Sequence, residues 1–175
     1  MKKVFLIFAI ALTTYAASAQ ARRSNSGTTN FSIGVEAGVP VGQFPKGFQN
    51  PYSFIVGASL QVESHVASDL GLTGSLGYLS YSYKTNYQNN SNGGGSTGFV
   101  PLMGGVKYYF SPSVFGHAQL GAAFGTSSGQ GTSFAYSPGI GFNISRNIDA
   151  EIKYLGISNS AATLGSVGVR LAYNF

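Results

Sequence analysis

Glu36, Glu63, Asp69, Lys107, Asp149, Glu151, Lys153 and Arg170, together with His65 and His117, are the side chains from which this chain could assemble acid–base, nucleophilic or metal chemistry. Hydrolysis through an activated hydroxyl needs a His, an acid and a Ser that converge. His117 stands near Gln119 with no Ser and acid pair beside it, and His65 falls in a turn, so no catalytic residue is assigned. Cysteine is absent, and no His and acid cluster has zinc spacing. Asp149 and Glu151 read as partners of Lys153 and Lys107 rather than as calcium ligands. Gly93, Gly94 and Gly95 lack the strand-to-helix setting of a phosphate loop. No metal and no cofactor is therefore expected. What remains is a set of charges able to pair with one another: Glu36, Lys107, Asp149, Glu151, Lys153 and Arg170.

The elements that must position these charges are strands. Read with a period of two, the chain yields eight alternating segments. The first sets Phe31, Ile33, Val35, Ala37 and Val39 against Ser32, Gly34, Glu36 and Gly38. The second presents Phe54, Val56, Ala58, Leu60 and Val62, and the third Leu70, Leu72, Leu76 and Tyr78. The fourth presents Val100, Leu102, Val106, Tyr108 and Phe110, the fifth Val114, Ala118, Leu120, Ala122 and Phe124. The sixth runs from Phe134 through Ile144 to Ser145, and the seventh carries Ile148, Ala150, Ile152 and Tyr154. The last alternates Val167, Val169, Leu171, Tyr173 and Phe175 with Gly168, Arg170, Ala172 and Asn174.

All eight ionised residues named above fall on the less apolar face of these segments. A soluble barrel would turn its charges outward, and an interior of Gly, Ser, Asn and paired charges could not bury a core. A barrel in lipid removes the contradiction: its apolar face points outward, where a cation near the midplane costs about 2 to 4 kcal/mol. The expected fold is all-β, an eight-stranded antiparallel transmembrane up-and-down β-barrel over residues 31–175.

Composition and the N-terminus agree. Lys2 and Lys3, an apolar run from Val4 to Leu12 and the small residues Ala17, Ser18 and Ala19 form an export signal over 1–19, followed by a polar leader over 20–30 read as disordered. Loss of the signal lowers the net charge from +5 to about +3. The remaining cations are scattered singly, so no nucleic-acid partner is expected. With 25 Gly, 13 Phe, 11 Tyr and only 9% charged residues, the chain is poorly suited to a soluble surface.

The connections alternate between long (40–51, 84–97, 126–132, 159–163) and short (64–68, 111–113, 146–147). That asymmetry puts tight turns and both termini on the periplasmic side and long loops outside. Outward aromatics should form two girdles: Phe31, Tyr108, Phe110, Tyr173 and Phe175 at one rim, and Phe54, Tyr78, Phe124, Phe134, Tyr136 and Tyr154 at the other. Pro101 and Pro138 cannot donate to a ladder and predict bulges or broken pairing in the fourth and sixth strands. Glu36 and Arg170 become neighbours only if the first and last strands close the barrel, and they are expected to meet there. The charges inside would then plug the lumen or gate a narrow path.

Three stretches carry a resemblance: Val100-Pro101-Leu102-Met103-Gly104-Gly105-Val106-Lys107-Tyr108-Tyr109-Phe110, Tyr136-Ser137-Pro138-Gly139-Ile140-Gly141-Phe142 and Gly168-Val169-Arg170-Leu171-Ala172-Tyr173-Asn174-Phe175. With the signal peptide, the chain resembles the small outer-membrane β-barrel domain family, with OmpA-, OmpX- and OmpW-type barrels and the porin-family proteins of Gram-negative bacteria. The resemblance implies the cell outer membrane as location and lipid as surroundings. It also implies assembly through periplasmic chaperones and the barrel-assembly machinery, which reads aromatics at the last and third-last places, here Phe175 and Tyr173. A monomer with a structural or surface-interaction role, not an enzyme, is expected. A narrow passive pore is the first alternative and a soluble secreted or periplasmic binding barrel the second.

Overall fold

Strand-favouring β-branched and aromatic residues alternate with small or polar ones along each segment, and in the computed structural model every segment becomes a strand. The structure describes residues 28–41, 50–84, 95–127, 129–159 and 163–175. The eight strands are β1 (Thr29–Val41), β2 (Tyr52–His65), β3 (Leu70–Tyr83), β4 (Ser96–Ser111), β5 (Val114–Gly125), β6 (Thr132–Asn143), β7 (Ile148–Ser158) and β8 (Thr163–Asn174). Each pairs antiparallel with the next, and β8 returns to β1, so the sheet is a closed barrel. The expected export signal and residues 20–27 of the leader lie outside the described residues, as do most of 40–51 and 84–97. Within the leader, strand structure already begins at Thr29.

The seam is a full ladder. Ser32 through Val41 run opposite Asn174 through Gly165, with Glu36 opposite Arg170, and Phe175 N–H donates to Phe31 C=O at 2.9 Å. Tight turns gather at one end, which we call the turn end. Val66 and Ala67 N–H both donate to Leu70 C=O, Ser111 Oγ accepts from Val114 N–H, and Ile144 and Ser145 N–H donate to Ile148 C=O. Asp69, Ile144 and Ser145 therefore belong to turns rather than to strands as the alternation suggested, because these backbone bonds end the ladders there. At the other, loop end, Gly129 and Gly131 adopt φ of 87° and 63° between β5 and β6, a left-handed backbone that favours glycine.

Both prolines interrupt one ladder each without shifting its register. On β4 the pairing with β3 skips from Leu76↔Leu102 to Leu79↔Phe99, leaving Pro101 paired only with Ala123 of β5. On β6 the pairing with β7 skips from Tyr136↔Gly156 to Gly139↔Lys153, leaving Pro138 paired only with Ala118 of β5. A missing N–H removes a ladder bond but adds no residue, so broken pairing results and no bulge. The register shifts that do occur lie between Tyr52 and Phe54 and between Tyr109 and Ser111, at strand ends.

Large apolar side chains cover the outside. Val35, Leu60, Leu120, Ile152 and Val169 are each more than half exposed, while Lys107, Asp149, Glu151 and Arg170 are only 2% exposed. Inner-face glycines supply the volume that those buried chains need. A Cβ on Gly34 would stand 2.6 Å from Arg170 Nε, and one on Gly139 would stand 2.6 Å from Glu151 Oε1. We expect Gly34→Val to destabilise the barrel by about 1 to 3 kcal/mol through overpacking, read as a lower denaturant midpoint. Gly104→Val, on the outer face with nothing but Thr73 C=O at 3.8 Å, should shift it far less.

Candidate functional site

The lumen divides into two halves. Toward the loop end Ile55, Leu79, Tyr81, Phe99, Met103, Ala123, Ala135, Leu155 and Ile157 form a buried apolar cluster. Tyr81 packs edge-on against Phe99 at 5.4 Å and against Tyr52 at 5.5 Å. The interior thus buries a small apolar core at this end. Inner positions of β2, β3, β4 and β7 turn apolar near the loop end.

Toward the turn end the inward charges meet. Lys107 Nζ lies 2.9 Å from Glu63 Oε2 and 4.4 Å from the centre of the Phe115 ring, and Tyr109 O–H donates to Glu63 Oε1 at 2.6 Å. Lys153 Nζ lies 2.8 Å from Glu36 Oε2. Arg170 donates Nε–H to Ser59 Oγ at 2.9 Å and Nη2–H to Ser32 Oγ at 3.0 Å, and its Nη1 stands 3.7 Å from Asp149 Oδ1. Asn174 Nδ2–H donates to Asp149 Oδ2 at 2.9 Å. All six charges of the proposed network are thus inward; five stand beside a partner of opposite sign, and Glu151 stands beside His117.

The partners are not the expected ones. Glu36 and Arg170 face each other in the ladder, yet Glu36 pairs with Lys153 while Arg170 reaches Asp149 and two hydroxyls. Lys107 takes Glu63 rather than Glu151, and Asp149 takes Arg170 rather than Lys153. Strands in a closed barrel tilt and stagger, so long side chains at one depth belong to residues that are not ladder neighbours. Four ties join next-but-one strands, β2 to β4, β5 to β7, β7 to β1 and β8 to β2, while Arg170 also reaches Asp149 and Ser32 on the adjacent strands β7 and β1. Strand β6 contributes small inner residues instead. The space over its inner glycines is taken by Phe115, packed over Gly141, and by Glu151, packed over Gly139.

His117 also differs from expectation. Its Nδ1 lies 3.1 and 3.2 Å from the two Glu151 oxygens, and its Nε2 lies 3.0 Å from Thr73 Oγ1. A hydroxyl, an imidazole and a carboxylate are thus in line, brought together from β3, β5 and β7. Thr73, His117 and Glu151 are 7%, 3% and 2% exposed, and neither Thr73 nor His117 lines the mid-lumen cavity or the turn-end vestibule described below. The arrangement satisfies buried polar groups. Glu63, Thr73, Tyr109 and His117 were missing from the proposed network, although inward parity and polar chemistry marked all four in the sequence.

Little space is left. The cavity in mid-lumen, bounded by Glu36, Ser59, Gln61, Lys153 and Arg170, measures about 10 Å³, room for about one water. An open vestibule of about 490 Å³ lies at the turn end. Among the described residues no group of three or more His, Cys, Asp or Glu could hold a metal ion.

Arg170→Ala should cost about 3 to 5 kcal/mol, because it leaves the Asp149 carboxylate buried without its cation. Arg170→Met combined with Asp149→Asn should recover most of that loss. Equilibrium unfolding of the three forms in detergent micelles checks both expectations.

No protein-family model and no curated protein matches this chain. Its fold, however, is shared by known structures. Ail, the attachment invasion locus protein of Yersinia pestis, is 22% identical with a TM-score of 0.58, covering 84% of this chain and 97% of its own. The N-terminal β-barrel domain of Pseudomonas aeruginosa OprF is 15% identical with a TM-score of 0.52, covering 86% of this chain and all of its own. A de novo designed transmembrane β-barrel is 19% identical with a TM-score of 0.53, covering 88% and 100%. With eight antiparallel strands, a closed seam and apolar residues outside, this chain has the fold of the small eight-stranded outer-membrane β-barrels.

Proposed function

We propose that this chain is an integral protein of the outer membrane that crosses the bilayer as a closed, filled barrel and serves a structural or surface-interaction role. The observation that carries the reading is the inversion of polarity: apolar side chains cover the outside while the charges are paired within. In water such an exterior would be one continuous apolar patch, far larger than soluble monomers expose. In lipid it is the surface that the solvent requires.

Outward aromatics support the same placement. Tyr108 with Phe110 and Tyr173 with Phe175 pack edge-on near the turn end, where Phe142 is also exposed. Phe134, Tyr136 and Tyr154 form a chain of rings near the loop end. Two such belts suit the two headgroup levels, with the turn end periplasmic and the loop end extracellular. Phe175 and Tyr173, both outward at the end of β8, are the pair that the barrel-assembly machinery would read. Outer-membrane lipid is the surrounding partner, with chaperones acting during transit and the barrel working as a monomer.

A solid lumen favours a structural or surface role over a pore. The apolar cluster fills the loop-end half, and the charge ties fill most of the other. The charges are then a plug that braces the wall rather than a gate. Ail, which shares the fold, is an attachment invasion locus protein, and this fits a role for the loop end in contacts outside the cell.

Fractionation should recover the chain with outer membranes, migrating faster on gels unboiled than boiled. Recovery in the soluble fraction with no heat-dependent shift would count against the membrane. Planar bilayers containing it should show no single-channel events, and steady conductance would restore the pore. Leu120→Arg, on the outer face, should cost about 2 to 4 kcal/mol in a bilayer; an ordinary surface substitution in a soluble protein stays within about 0.5 kcal/mol.

A further inference from the structure

Along β7 the inner side chains change character in one step, with Asp149, Glu151 and Lys153 on the turn-end side and Leu155 and Ile157 beyond them. The same change runs round the wall: from Gln61 and Ser59 to Ile55 on β2, from Thr73 to Leu79 and Tyr81 on β3, and from Lys107 to Met103 and Phe99 on β4. The cavities follow it. The vestibule opens at the turn end, and the mid-lumen cavity ends against Leu79, Met103 and Leu155. Tyr81, Phe99, Ala123 and Ala135 of the apolar cluster line neither cavity.

Between the two cavities stands a contact that protein groups leave incomplete. Asp149 lines the vestibule, and Arg170 lines the mid-lumen cavity. Asp149 Oδ1 and Arg170 Nη1 are 3.7 Å apart, both are buried, and neither has a hydrogen-bond partner. That separation is too long for a direct hydrogen bond and short enough for one water to serve both groups. Ser137 Oγ is likewise buried and unpartnered, and Gln119, opposite Ser137 in the β5–β6 ladder, lines the mid-lumen cavity. The apolar cluster offers water far less. Among its nine buried side chains the one hydroxyl is that of Tyr81, whose polar neighbours are Ser166 and Glu36.

We propose that the two halves of the lumen differ in role, an inference that rests on the reading of a filled transmembrane barrel. Water enters from the turn end as far as the mid-lumen cavity and bridges Asp149 to Arg170 on its way. The apolar cluster is the seal that stops water and ions. Charged and hydroxyl groups can replace part of an ion's hydration, whereas a packed apolar constriction replaces none and stays dry. The charge ties are therefore not the barrier. Tyr81 and Phe99, the two rings of the cluster, pack edge-on at 5.4 Å and close the bore.

Two measurements on the full chain test this. In micelles, cross-relaxation with water should reach the side-chain amides of Gln61 and Gln119, which line the mid-lumen cavity, and should be absent at the methyls of Ala123 and Ala135, both 0% exposed. Dry glutamines, or wet alanines, overturn the proposal. In planar bilayers, Tyr81→Ala/Phe99→Ala should show single-channel events, while the wild type and Arg170→Met/Asp149→Asn stay silent. Heat-dependent migration on gels certifies that each form is folded, and Leu79→Ala/Met103→Ala takes the place of the ring variant if that one does not fold. A folded cluster variant that stays silent, or a charge variant that conducts, places the barrier elsewhere and overturns the seal. Conductance by the wild type instead overturns the filled-barrel reading itself.

Discussion

Closure of the sheet through the β1–β8 ladder is the constraint on which the rest of the structure depends. In hydrocarbon an unpaired strand edge would leave a row of N–H and C=O groups without partners, each costing several kcal/mol. Ten residues of β1 opposite ten of β8, with Phe175 N–H donating to Phe31, remove that edge. Once the sheet is closed, alternate side chains have only two destinations, the outer surface or the lumen. The parity of every strand then has to agree with that of its neighbours, and it does around the whole circuit.

A closed barrel of this size has an interior just wide enough for side chains, so filling it is a packing problem as much as an electrostatic one. The chain solves it differently at the two ends. Near the loops it uses aliphatic and aromatic residues with Ala123 and Ala135 beneath them. Near the turns it uses charges, and glycines such as Gly34 and Gly139 make way for Arg170 and Glu151. Ties such as Lys153 to Glu36 and Arg170 to Ser59 join strands that share no ladder.

The prolines and His117 show where reading the chain in one dimension succeeds and where it stops. Pro101 and Pro138 break pairing as a missing N–H requires, because that defect belongs to the residue itself. The line from Thr73 through His117 to Glu151 joins residues from three strands, separated by 44 and 34 positions. No spacing rule marks such a grouping. Parity placed each of the three inside the barrel, and nothing in the sequence said that they would touch.

The sequence by itself determined the class of fold, the eight strands, the face each residue takes and the end at which the tight turns gather. Those properties follow from alternation and turn chemistry, which act over a few residues. Only the tertiary structure decided which charges pair, that Glu36 holds Lys153 while Arg170 holds Asp149, and that the lumen is apolar at one end. Side-chain partners inside a barrel depend on strand tilt and stagger, which are properties of the closed circuit rather than of any single strand.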